Sequence, residues 1–311
     1  MMITKGKKTI IAVAVIAAAC GVLAILLAFV ILPKQKRNRA RELIASGEYE
    51  KAYALLEELG DWEAVAASKY ERAAAMISAG EQEGAYTLLN GLKYKDSAEK
   101  AAACLFRIQR DRLHEVEVGA SIRFGSYEQD NLSRDGTEEI RWIVLAVDGS
   151  KALLISENAL DYKPFNEEYV ACSWSKCSLR KWLNETFYTA AFSPEHRKMI
   201  VSTLATADKN PDFRTSSGSD TMDSVFILSV EEALRYFDSD SARQCSGTPY
   251  CYEAGASEKD GCAYWWLRTS GQNPNDCTVV TTEGVPYTPG FCVNNDSPAV
   301  RPALWIDLDA N

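Results

Sequence analysis

The sequence predicts an α+β C-terminal domain on an all-α helical-repeat stalk, behind a single N-terminal transmembrane helix. Three observations carry that reading. Ile10–Leu32 is a run of 23 residues without a charge. Residues 42–114 are rich in Ala, Glu, Leu and Lys at helical spacing and repeat internally. From Val116 onward Gly, Ser, Asp and aromatic residues rise, and apolar residues alternate as in strands.

The first element follows from length. In a helix, Ile10–Leu32 would reach roughly 35 Å, enough for a bilayer core of about 30 Å. The run is longer than the about 7–15 apolar residues of a cleaved signal peptide, and it ends in Leu-Pro-Lys. Ile16–Cys20 loosely resembles a lipoprotein processing box, but Gly21–Leu32 stays apolar, so Cys20 reads as a small residue within the span. Residues 1–9 are then a tail and 33–41 a basic juxtamembrane segment. Lys34, Lys36, Arg37, Arg39 and Arg41 would clamp anionic headgroups, which makes the membrane a partner.

The stalk carries a repeat. Ile44–Leu59 realigns with Ile77–Leu92 at an offset of 33, matching Gly47 with Gly80, Ala52 with Ala85 and Tyr53 with Tyr86. A period of that length, with Gly ending one helix and small and aromatic residues on the next, resembles tetratricopeptide-type helix pairs. Such pairs could grip a partner or serve as a spacer, and the spacer is the simpler reading.

Residues 115–311 form the expected α+β domain. Val118–Gln129 reads as an opening strand, and Ile140–Ser156 as a hairpin turning at Asp148-Gly149. Ser175–Tyr188 reads as a helix, Ser193-Pro194 as the start of another, and Val225–Leu228 as a short buried strand. Ser229 with Glu232 forms a capping box. Tyr264–Ser270, Cys277–Thr282 and Ala299–Ile306 close the list of strands. Long polar loops lie at 205–222 and 238–262.

Charge limits the partners. The chain carries −9 overall, and residues 1–41 hold eight basic and no acidic side chains, which leaves −17 on residues 42–311. An acidic body of that kind does not suit nucleic acid, whose binding needs a basic face.

The segments "SWSKCSLRKWLNETFY", "VFILSVEEALRYF", "YWWLRTSG" and "VRPALWI" together resemble an uncharacterised bacterial domain family. That family is in turn similar to the formylglycine-generating (sulfatase-modifying) branch of the C-type-lectin fold, over about Val118–Leu308. The resemblance implies a C-type-lectin-like domain of twisted antiparallel strands with extensive loops. Its enzymes use two nearby cysteines with copper to oxidise a substrate cysteine. Here Cys172/Cys177, Cys245/Cys251 and Cys277/Cys292 are the candidate disulfide or thiol pairs, and none maps onto the enzymes' pair. Orientation divides the signals. Basic residues behind the span place the domain inside, whereas the short tail, the cysteines and the resemblance place it extracytoplasmic, at the cell surface, and the second reading is preferred.

Candidate ligand-binding residues are Trp265 and Arg268 in the "YWWLRTS" strand, with Asn275, Asp276, Asn294, Asn295 and Asp296 in polar loops. Such loops could hold Ca²⁺, and a thiol pair Cu(I), although no cofactor is expected. The histidines, His114 and His196, offer little for a hydrolase, with His196 expected in a solvated helix turn. The expected function is a non-enzymatic, membrane-anchored module binding a protein or a glycan. The alternatives are a copper-dependent oxidase of the formylglycine-generating type and a cytoplasm-facing scaffold.

Overall fold

The computed structural model describes residues 27–113, 116–132 and 134–310. Most of the expected transmembrane span, the N-terminal tail and His114 therefore lie outside the described residues. Where Ile10–Leu32 does enter them, Leu27–Ile31 is a π-helical turn that continues into helix Leu32–Ala45. That helix has 14 residues, roughly 21 Å, and is studded with Lys and Arg. Among the described residues no helix is long and apolar enough to cross a membrane. The expected fold class is corrected on this point: the described residues are α+β, and none of their helices is long and apolar enough to cross a membrane. Residues 33–41 are part of the same helix, where Arg37 pairs with Asp61 at 2.8 Å and Lys36 with Glu58, so part of the charge is satisfied within the protein.

The chain divides into two compact units, residues 1–75 with 93–95 and residues 76–92 with 96–311. In the first, helices Leu32–Ala45 and Tyr49–Glu58 pack around Ala40, Leu43, Ala52, Tyr53, Leu56 and Val65. Gly47 ends the first of these helices at φ +80°, a left-handed conformation that costs glycine little.

The second unit begins earlier than the expected boundary at 115. Helices Gln82–Leu89 and Ser97–Arg110 belong to it. The Asn90 amide donates to Asp135 O at 3.1 Å, and buried Gln109 reaches the backbone of Gly125. Its strands are β1 (Ser121–Tyr127), β2 (Glu138–Asp148), β3 (Lys151–Ser156), β4 (Asp161–Tyr162), β5 (Ile200–Val201), β6 (Thr203–Ala205), β7 (Thr221–Asp223), β8 (Glu258–Lys259), β9 (Cys262–Ala263), β10 (Trp265–Ser270), β11 (Asp276–Val280), β12 (Pro286–Cys292), β13 (Ala299–Val300) and β14 (Ala303–Asp307). One five-stranded sheet has the order β1-β2-β3-β14-β5 and the other β12-β11-β10-β13-β4; β6-β7 and β8-β9 are two-stranded ribbons. All pairings are antiparallel except β10 with β13.

Local sequence explains much of this. β2 and β3 form the hairpin, with Asp148 paired to Lys151 across Gly149-Ser150. Ser193 caps helix Pro194–Met199, and the Ser229–Glu232 capping box is present in full. Gly125, at φ +72°, sits at a bulge in β1 where an added Cβ would meet Ala191 O at 2.6 Å.

Three expectations are corrected. Val225–Leu228 is buried but makes only a single bridge, Phe226 to Ala303, instead of a strand. Ala299–Ile306 is two strands, because Arg301-Pro302 carries the chain from one sheet to the other and Pro cannot donate to a ladder. His196 is buried rather than solvated. Its Nε2 lies 2.9 Å from Gln109 Oε1 and its Nδ1 2.9 Å from Ser193 Oγ. Gly125 N–H donates to Gln109 Oε1 while Gly125 O accepts from Gln109 Nε2, which orients the amide. His196 Nε2 therefore carries the proton, and Nδ1 faces the Ser193 hydroxyl, whose one proton is shared with Glu195 Oε2 at 2.9 Å.

Candidate functional site

Strand β10 is buried along its whole length, and Arg268 is the charge within it. An unpaired guanidinium there would be very costly. Here it donates to Glu232 through Nη1 and Nη2, the latter at 2.8 Å, and to Asp208 Oδ2 at 3.3 Å. It also donates to Thr206 O at 3.1 Å and Ile227 O at 3.0 Å. Glu232 is the acid of the capping box, and Asp208 opens the segment that joins β6 to β7. Arg268 thus ties a helix start to the neck of a loop.

That loop, residues 207–218, is fastened along its length. Asn210 is buried; its amide donates to Ser270 O and Thr288 O, each at 2.8 Å, and its Oδ1 accepts from Asp212 N and Phe213 N. Thr215 Oγ1 donates to Gln272 O at 2.7 Å, and Ser217 Oγ closes the neck on Asp208 O at 2.6 Å. Gly218, at φ +87°, leaves no room for a side chain, since a Cβ would lie 2.2 Å from Ser173 Oγ. The loop walls a cavity of about 630 Å³, lined by residues 207 and 209–218. Small-ligand sites fall at about 300–1,000 Å³.

Lys209 and Arg214 line this cavity and are exposed, and among the described residues neither makes an ion pair. The carboxylates close by are committed elsewhere: Asp208 to Arg268, Asp212 to the Thr288 hydroxyl at 2.6 Å, and Asp220 to Ala207 N–H at 2.7 Å. The arrangement is a held, polar concavity whose lining carries two cations, Lys209 and Arg214, and one carboxylate, Asp212.

The expected ligand residues are distributed differently. Trp265 is fully buried; its Nε1 donates to Arg243 O at 3.2 Å and its ring lies 5.1 Å from the Arg301 guanidinium, so it is core. Arg268 is an anchor beneath the loop. Asn275, Asp276, Asn294, Asn295 and Asp296 do converge, because Asp276 pairs with Cys292 and Val293 N–H donates to Asn275 O. Several of their oxygens close turns: Asn273 Nδ2 donates to Asp276 Oδ2 at 2.6 Å, and Ser297 N–H to Asn295 Oδ1 at 2.8 Å. The one group of three close ligand-type residues among those described is elsewhere, at Glu128, Asp130 and Glu138. Its carboxylates accept from Gln129, Asp130 and Leu132 N–H.

All eight described cysteines are free thiols. Cys172 and Cys177 are neighbours, as are Cys245 and Cys251, but Cys277 approaches the first pair and not Cys292. Buried Cys277 and exposed Cys292 belong to different register pairs on adjacent strands, which separates them. Burial pushes the Cys172, Cys177, Cys245, Cys251 and Cys277 thiols up, away from the thiolate form that binds Cu(I). Cys277 instead donates to Leu267 O at 3.1 Å, and Cys251 to Asp161 O at 3.2 Å.

A family model described as Domain of unknown function (DUF6273) matches residues 149–308. The chain belongs to this family. The match runs from the turn before β3 into the residue after β14, and includes Arg268 and the whole 207–218 loop. No curated protein and no solved structure matches the chain.

Sequence reasoning marked the 205–222 stretch only as a long polar loop. Asn210 escaped notice because its partners Ser270 and Thr288 lie 60 and 78 positions away, and Lys209 and Arg214 because they sit in the loop that those bonds hold. The usable signal was a polar stretch with two cations, "DKNPDFR", inside an acidic domain.

Proposed function

We propose that the C-terminal domain is a non-enzymatic binding module, which recognises a protein or glycan through its loops, chiefly residues 207–218. The observation that carries this is a cavity of ligand size walled by one loop with its own buried anchors. A loop ordered before the ligand arrives loses less entropy on binding. The buried, protonated thiols favour this reading over a cysteine-based oxidase.

The test is to present the full chain to arrayed glycans and peptides, beside a variant in which residues 211–216 become an equal run of Gly and Ser. Asn210 and Ser217 stay in place, so the fold should survive, as circular dichroism would verify. The expected result is a saturable ligand that the variant does not bind. Binding unchanged by the replacement, or turnover of the bound ligand, would overturn the proposal.

A further inference from the structure

We infer that the 207–218 cavity takes an acidic saccharide, a sugar residue carrying a carboxylate or sulfate oxyanion, with Lys209 and Arg214 as its counterions. This rests on the binding-module reading and names the ligand class for that site. Lys209 and Arg214 both line the cavity, both are exposed and neither makes an ion pair among the described residues, so the lining stays net positive beside the single carboxylate of Asp212, which accepts from the Thr288 hydroxyl. Their charge is therefore available to a ligand. A guanidinium suits a planar carboxylate or sulfate through paired hydrogen bonds, and an ammonium adds a point charge.

Two further features favour a sugar over an acidic protein. The cavity is concave and walled by a single loop, with the half-buried Phe213 ring and the Ser216 hydroxyl in its lining. Those groups suit the mixed apolar and hydroxyl faces of a pyranose. An acidic protein would also have to lay a broad surface against a chain bearing −17 over residues 42–311. A small anion seated in the cavity feels mainly its lining, where Lys209 and Arg214 outweigh Asp212, since more distant exposed charges are screened beyond about 8 Å at physiological salt.

The experiment measures binding of the full chain by calorimetry to four probes: galacturonate oligosaccharides, sulfated galactose oligosaccharides, their neutral parents, and a poly-glutamate peptide. Each is tested at low and high salt, with wild type and a Lys209→Gln/Arg214→Gln variant. The expected result is that at least one acidic sugar binds about tenfold or more tighter than its neutral parent, a charge-assisted margin. The preference should shrink at high salt and vanish in the variant, with the melting temperature unchanged. Neutral parents bound as tightly as acidic sugars would overturn the inference and leave the binding-module reading in place. Poly-glutamate bound through the same two cations, with no sugar bound, would overturn the saccharide assignment alone. If glycan and peptide arrays also show no ligand, both readings fall.

Discussion

Arg268 and His196 are both buried polar centres of the second unit, and their neighbours hold them in opposite ways. Arg268 is surrounded by charge, with the Glu232 and Asp208 carboxylates and two carbonyls filling its donors. His196 is surrounded by neutral groups: Gln109, Ser193 and the edges of Phe106 and Phe124. Desolvation pushes the imidazole down to about 4, only partly countered by Glu195. A charged centre balanced by carboxylates can fasten a ligand loop, whereas a neutral one links helix Pro194–Met199 to Gln109 of helix Ser97–Arg110 in surroundings that disfavour its protonation.

The comparison breaks most sharply at Arg268. Arg268→Met strands Glu232 and Asp208 without their cation, and removing one partner of a buried ion pair costs about 3–5 kcal/mol. Urea unfolding should show that loss, and ligand binding should fail with it because the loop neck is released. A cost below about 1 kcal/mol would mean that the carboxylates find water instead.

Acid tests the other centre. His196 has its folded pKa depressed from 6.5 to about 4, so the unfolded chain binds the proton more readily. Its contribution is complete above about pH 6.5 and is lost as pH falls through about 4, amounting to roughly 3 kcal/mol. Denaturation midpoints between pH 7 and 4 would show the slope, and a His196→Gln chain should lack that part of it. Equal slopes in the two chains would remove His196 as the cause.

The smallest effect concerns Ser193, which caps the Pro194 helix and faces the same imidazole. Ser193→Ala should cost about 1 kcal/mol, the usual value of a lost N-cap. Thermal melting would detect it as a modest shift, and no shift would mean that neither hydrogen bond matters to stability.

What was legible in the sequence was short-range. Ser193-Pro194, the Ser229–Glu232 box and the Asp148-Gly149 turn each read correctly because their partners lie within a few residues. His196 misled because its partner Gln109 is 87 residues away, and a surface-looking helix turn gives no sign of that. "AVRPALWI" looked like one strand because hydropathy does not report which sheet a residue joins. Trp265 and Arg268 stood out as chemistry-bearing side chains, yet the fold uses both as internal supports, and the accessible cations lie in a loop without periodicity.

The sheet change at Arg301-Pro302 also sets a timetable. β14 lies between β3 and β5, and Ser150 bonds to Asp307 across 157 residues of chain at 3.0 Å. The first sheet therefore stays open between β3 and β5 until residues 303–307 have left the ribosome. Until then β3 exposes a bare apolar edge. Long-range closure of this kind slows folding, so this unit is expected to complete its fold only once residues 303–307 have emerged and to depend on whatever shields nascent chains in that interval.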